Sequence, residues 1–169
     1  SFLYFAGVSS IQAAFFFSMV GFMPYQFERL GASPTEFGLW FSLTSIGYII
    51  GNIVSNRYSN WLGLERFSLL GCSWCLLSIA LMFLSEIQLI SAPLTLASAC
   101  FMFGLGNGLI LANVLVLALI SVDQKCVASA SGFLGAMQMF CGAILGSLIV
   151  LLGGDKQFWL AVTILLILS

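Results

Sequence analysis

Five uncharged amides stand inside otherwise apolar runs: Gln12, Asn52, Asn107, Asn113 and Gln138. An amide moved out of water without a hydrogen-bond partner costs roughly 2–7 kcal/mol, depending on the reference state. Each of these side chains therefore either bonds to a neighbouring helix or faces a wet cavity or a ligand, and both readings stand. Gln12 and Phe16 lie four residues apart and share a helix face, which favours them as cavity lining. Asn107 and Asn113 lie six apart and point in different directions on an ideal helix, so one narrow groove cannot take both unless the helix is distorted. With Gln138 these four make the set of substrate-cavity candidates.

Other chemistry finds little support. Once the loops are set aside, no ionisable residue lies deep in an apolar run, where a charge would mark a proton relay or an ion path. His is absent, which removes the commonest proton shuttle and metal ligand. Neither a Ser/His/Asp arrangement nor a pair of cleft carboxylates can be assembled, so the chain reads as no enzyme. Cys72 and Cys75 form a C-x-x-C, but it lies mid-helix without a second pair, and small packing residues are the simpler account. Gly104-Leu105-Gly106-Asn107-Gly108 matches a phosphate-cradling loop only superficially, because no strand precedes it. Glycines there allow close helix approach or a local bend. No cofactor and no metal is implied. Three Arg and two Lys are scattered singly, so a nucleic-acid partner has no basic footprint.

The elements that must hold these residues are membrane helices. Hydrophobic residues make up 61% of the chain and charged ones 7%, against about 25% charged in an ordinary soluble domain. Mean hydropathy is +1.13. A hydrocarbon core about 30 Å thick needs about 20 apolar helical residues to cross it, and six segments have that character: approximately 2–23, 34–55, 67–84, 93–120, 127–152 and 158–169, the last incomplete. Pro24 and the run Tyr25–Arg29 are expected to close the first. Ser33, Pro34 and Glu36 form a capping box that opens the second, and a loop over 56–66 is expected to follow it. Pro93 opens the fourth. Barrel strands are too short and too regular in alternation to fit. In segment five Gly132, Gly135, Gly142 and Gly146 predict close helix packing, with a G-x-x-x-G at the last two. The chain begins and ends inside apolar runs, which predicts a piece of a longer polypeptide forming one domain. Arg57, Arg66 and Lys125 in the second and fourth loops outnumber Arg29 and Lys156 in the others, which places the second and fourth loops in the cytoplasm.

Three stretches together resemble the C-terminal half of a major facilitator superfamily transporter, and within it the bicyclomycin-resistance (Bcr/CflA) branch of drug exporters. Residues 37–67 resemble the second copy of that family's cytoplasmic loop motif, with Gly51, Arg57, Gly63 and Arg66 as its remnants. Asn56 stands where the motif has an acid, which leaves a charge relay there without its carboxylate. Residues 106–119 resemble the branch's tenth helix, with Ala112 where a proline is often found. Residues 127–148 resemble its eleventh, and Gln138 matches the glutamine of that pattern. The resemblance covers essentially the whole chain. It implies an all-α six-transmembrane-helix half built of two inverted three-helix repeats, its last helix truncated. It further implies a bacterial inner-membrane protein that exports small drug-like compounds in exchange for protons. Substrate would be held at the midplane, and the first and fourth helices would line the cavity. The partners implied are a small-molecule substrate, the lipid bilayer and the missing N-terminal six-helix half, where the acids for proton coupling would lie. A metabolite importer or exporter of the same superfamily and a non-transporting multi-pass scaffold remain alternatives.

Overall fold

The computed structural model describes residues 2–86 and 93–153, and every element in them is helical. In order these are α1 (Phe2–Arg29), α2 (Pro34–Leu62), α3 (Leu64–Glu86), α4 (Pro93–Ile120), a short 3-10 turn (Gln124–Cys126) and α5 (Val127–Gly153). All five α-helices are long and apolar enough to cross a membrane. The segment expected at 158–169 lies outside the described residues.

Two boundaries differ from expectation, each for a local reason. The first segment does not end at Pro24: α1 runs through it to Arg29. An interior proline removes one backbone hydrogen bond and strains the turn before it. Here burial outweighs that cost, since Met23 and Phe27 are wholly buried and Gln26 nearly so. The Phe27 ring also meets Phe37 of α2 at 5.5 Å, edge to face. Arg29 sits in the last turn, where a cation complements the helix dipole. Gly31, at φ 80°, then turns the chain. The capping box follows as expected: Ser33 Oγ accepts from the Glu36 N–H at 3.3 Å, and the Ser33 N–H donates to Glu36 Oε2 at 2.7 Å.

The second correction concerns the loop expected over 56–66. Residues 56–62 continue α2, and Gly63 alone separates it from α3. No proline or glycine interrupts the run before Gly63, so its polar side chains leave the backbone free to stay helical. Gly63 adopts φ 86°, ψ 147° and donates its N–H to Ser59 O at 2.8 Å. That conformation is open in practice only to glycine. Gly63→Ala is therefore expected to cost about 1–3 kcal/mol, read as a lower Tm in detergent. Gly38→Ala is the control. It sits inside α2, where an added Cβ meets no atom within 4 Å. There alanine should be neutral or stabilising, because it removes glycine's helix penalty. Equal melting curves for the two variants would contradict the assignment of strain to Gly63.

The helices gather into two compact units. Met23–Ala112 forms one, and the residues up to Phe22 with those from Asn113 onward form the other. In the Met23–Ala112 unit, α4 touches α2 and α3 along glycines. A Cβ built on Gly104 would strike the Thr44 carbonyl, one on Gly108 that of Tyr48, and ones on Gly47 and Gly51 those of Phe101 and Leu105. Partners rise together along both chains, so α2 and α4 run parallel. Against α3 the order reverses. Gly71 faces Gly106, Leu109 and Ile110, Cys75 faces Gly106, and Ser78 Oγ donates to Ala99 O at 2.7 Å. A Cβ on Gly106 would lie 2.8 Å from the Gly71 carbonyl. Backbones this close are what small residues permit in lipid, where packing rather than expulsion of water holds helices together.

In the other unit a small core joins Ala6, Ala118 and Leu134, flanked by Phe2, Phe5, Leu115, Leu119 and Met137. Phe2 meets Phe133 at 6.2 Å. The glycines of α5 do not act as expected among the described residues. A Cβ at Gly132, Gly135 or Gly146 would meet nothing within 4 Å, and one at Gly142 would meet the Phe17 ring at 2.5 Å rather than a backbone. Among the described residues, close backbone approach is found along α4.

Candidate functional site

The unit holding α5 contains Gln12, Phe16, Asn113 and Gln138; Asn107 belongs to the Met23–Ala112 unit. Gln12 and Asn113 are buried, and Phe16 and Gln138 are partly so. Gln12 lies on α1 among other polar groups that are also buried, Ser9, Ser10 and Ser18. Those three hydroxyls return to their own helix. Ser9 and Ser10 donate to Ala6 O at 3.0 and 2.7 Å, and Ser18 donates to Ala14 O at 2.7 Å. This back-bonding satisfies a hydroxyl inside a helix without a second helix. A glutamine has two donors and a carbonyl to place, more than the neighbouring serines of α1 can offer. Phe16, four residues on, stacks edge to face on Phe17 at 5.8 Å. On α5, Gln138 Nε2 is buried without a hydrogen-bond partner.

In the Met23–Ala112 unit the informative atoms are Asn107 Oδ1 and Thr44 Oγ1. Both are buried with no hydrogen-bond partner. Asn107 sits mid-way along α4, between Gly106 and Gly108, whose missing side chains bring α3 and α2 close. That crowding explains its burial: the asparagine is carried inward by glycines on either side. Asn52 behaves differently. It is half-buried and donates Nδ2–H to Tyr48 O at 2.9 Å within its own helix.

Of the loop-motif remnants, Gly51 is buried against α4, Gly63 forms the break, and Arg57 and Arg66 are exposed on either side of it. The four are therefore split between packing, turn and surface.

Sequence reasoning passed over Thr44 and the contact between Met23 and Cys100. Thr44 stands in Phe41-Ser42-Leu43-Thr44-Ser45, where Ser42 and Ser45 are exposed. Which hydroxyl faces inward is fixed by the glycine stripe of α2, since Thr44, Gly47 and Gly51 follow a helical spacing of three and four. That stripe is the signal that could have found it.

Taken together, the fold and these side chains define an all-helical multi-pass membrane protein whose spanning helices bury uncharged polar groups. Compared with models of known protein families, with curated proteins and with solved structures, the chain matches none.

Proposed function

We propose that this chain is the C-terminal bundle of a secondary active transporter of the major facilitator kind, which exports small drug-like compounds across a bacterial inner membrane in exchange for protons. The observation that carries the reading is Asn107 Oδ1, a buried acceptor with no partner, in the middle of a spanning helix. An acceptor left in that state costs about 1–3 kcal/mol, and a natural exception of this kind calls for an explanation such as water or a ligand that fills it. Sparse amides among apolar and aromatic walls suit amphipathic molecules that need a few orienting hydrogen bonds. In the other unit, Gln12, Phe16, Asn113 and Gln138 are candidates of the same uncharged or aromatic kind. The exchange of protons rests on the resemblance alone and assigns the acids to the rest of a longer polypeptide. In this reading the turn at Gly63 and the 3-10 turn at Gln124–Cys126 face the cytoplasm.

The test is export by cells expressing the full-length polypeptide, measured as susceptibility to a panel of amphipathic compounds at matched membrane levels. Gln12→Ala, Phe16→Ala and Asn113→Ala should each change which compounds are exported. Leu69→Ala, on an exposed face of α3, should leave the profile alone. Export no greater than in cells lacking the protein would defeat the transporter reading. A profile that shifts with Leu69→Ala but not with the other three would return the amides to a role in helix packing.

A further inference from the structure

In the Met23–Ala112 unit, three side chains from three helices meet at a buried point. The Cys100 thiol of α4 contacts the Met23 thioether of α1, Sγ to Sδ 3.7 Å. The Thr44 hydroxyl of α2 neighbours the same thiol without completing a hydrogen bond of proper geometry. Cys100 and Met23 are wholly buried and Thr44 almost so. A thiol and a thioether in contact fill space well, but packing alone leaves the threonine oxygen unpartnered in the interior, a cost that an apolar residue would avoid.

We propose that Met23, Cys100 and Thr44 form a binding site for a soft monovalent metal ion, of the Cu(I) or Ag(I) class. Three arguments lead there. The first is ligand chemistry: thiolate and thioether sulfur select Cu(I) over hard cations and over most divalent ions. Among the described residues no group of three His, Cys, Asp or Glu side chains is placed to hold a metal, so an ordinary zinc or calcium site is not what these atoms resemble. The second is geometry: two sulfurs 3.7 Å apart can both lie about 2.3 Å from one ion, the usual metal–thiolate distance for zinc, at an angle near tetrahedral. The threonine oxygen is at hand as a third, weaker donor. The third is charge. Binding replaces the thiol proton: Cys–SH and M⁺ give Cys–S–M and H⁺, which leaves to solvent, and no oxidation state changes. The occupied site is as neutral as the empty one. A divalent ion would instead leave a net positive charge among spanning helices, where charge is costly. This inference does not depend on the transport reading.

The test uses the purified full-length protein in detergent with Cys72, Cys126 and Cys141 replaced by serine, leaving Cys75 and Cys100. Cu(I) is titrated without oxygen against a chromophoric Cu(I) chelator. One equivalent should compete with the chelator, and X-ray absorption should show sulfur neighbours. Cys100→Ser should abolish that equivalent and Cys75→Ser should leave it. Met23→Leu, which keeps the volume, should weaken it at least about tenfold, the lower end of what even an outer-shell partner is worth to a metal site. No bound Cu(I) in the parent, or retention in Cys100→Ser, would overturn the proposal. If Cys100→Ser fails to fold, Met23→Leu decides: unchanged affinity there overturns it as well.

Discussion

Gly104→Leu is expected to prevent the protein from accumulating in folded form. A Cβ at that position would strike the Thr44 carbonyl oxygen, and the next atoms behind it are also Thr44 backbone. Overpacking costs about 1–3 kcal/mol when neighbouring side chains can shift rotamer. Backbone atoms have no rotamer to change, so α4 itself must move off α2. Such a move also breaks the contacts at Gly47, Gly51 and Gly108, because the four glycines share one interface. It disturbs α3 too, since Gly106 and the Ser78-to-Ala99 hydrogen bond lie on the other side of the same helix. Against a total stability of about 5–15 kcal/mol, loss of an interface this size is decisive. Gly142→Leu should do less, because the nearest described atoms all belong to the Phe17 ring and a ring can turn. Gly146→Leu should do least, with open space around it among the described residues. The measurement is the fraction of each variant that elutes as a single species in mild detergent, with its melting temperature. Equal recovery of Gly104→Leu and Gly146→Leu would show that α4 is not held as described.

The glycines show how far the sequence could be read and where reading stopped. Gly104, Gly106 and Gly108 in one apolar run and Gly132, Gly135, Gly142 and Gly146 in another carry the same kind of signal, freedom for a neighbour to come close. Which run uses it depends on which face of each helix meets another helix, and that is set by tertiary register, not by spacing. Helix starts were legible where a local mechanism fixes them. Ser33 and Glu36 bond each other's backbone, and Pro34 begins α2. Ends were less legible. Pro24 and the polar run 56–62 carry signs of termination, yet α1 passes the first because Met23 and Phe27 are buried. α2 passes the second because nothing before Gly63 forbids it. The inward direction of Gln12, Asn107 and Asn113 follows from their amides avoiding lipid. The pairing of Met23 with Cys100 does not follow from any pattern, since it joins residues 77 positions apart.

Asn107→Leu separates structure from function at the centre of α4. If Asn107 were a structural hydrogen-bond donor and acceptor between helices, leucine would remove those bonds and lower stability. Its Oδ1 has no partner, however, and the residue is 5% exposed. Replacing an unsatisfied buried polar group with an apolar one of the same branching removes the cost of the unmade hydrogen bond, and leucine repeats asparagine's branched outline with bulkier methyl groups. The expected result is therefore a melting temperature equal to or above that of the parent, since relief of the unpaired acceptor offsets about 1–3 kcal/mol. Transport should move the other way. A substrate or bridging water that bonds to Oδ1 loses its acceptor, and a site built around a polar group rejects a ligand it can no longer bond. Compounds that need that acceptor should be exported less, while those recognised by apolar contact alone should pass as before. Asn107→Asp, which keeps the shape but sets a charge in a buried position, should cost stability instead, because an isolated carboxylate among apolar helices is heavily penalised. A parent-like export profile in a stable Asn107→Leu protein would remove Asn107 from the site, and a sharp loss of stability in that variant would assign it to helix packing.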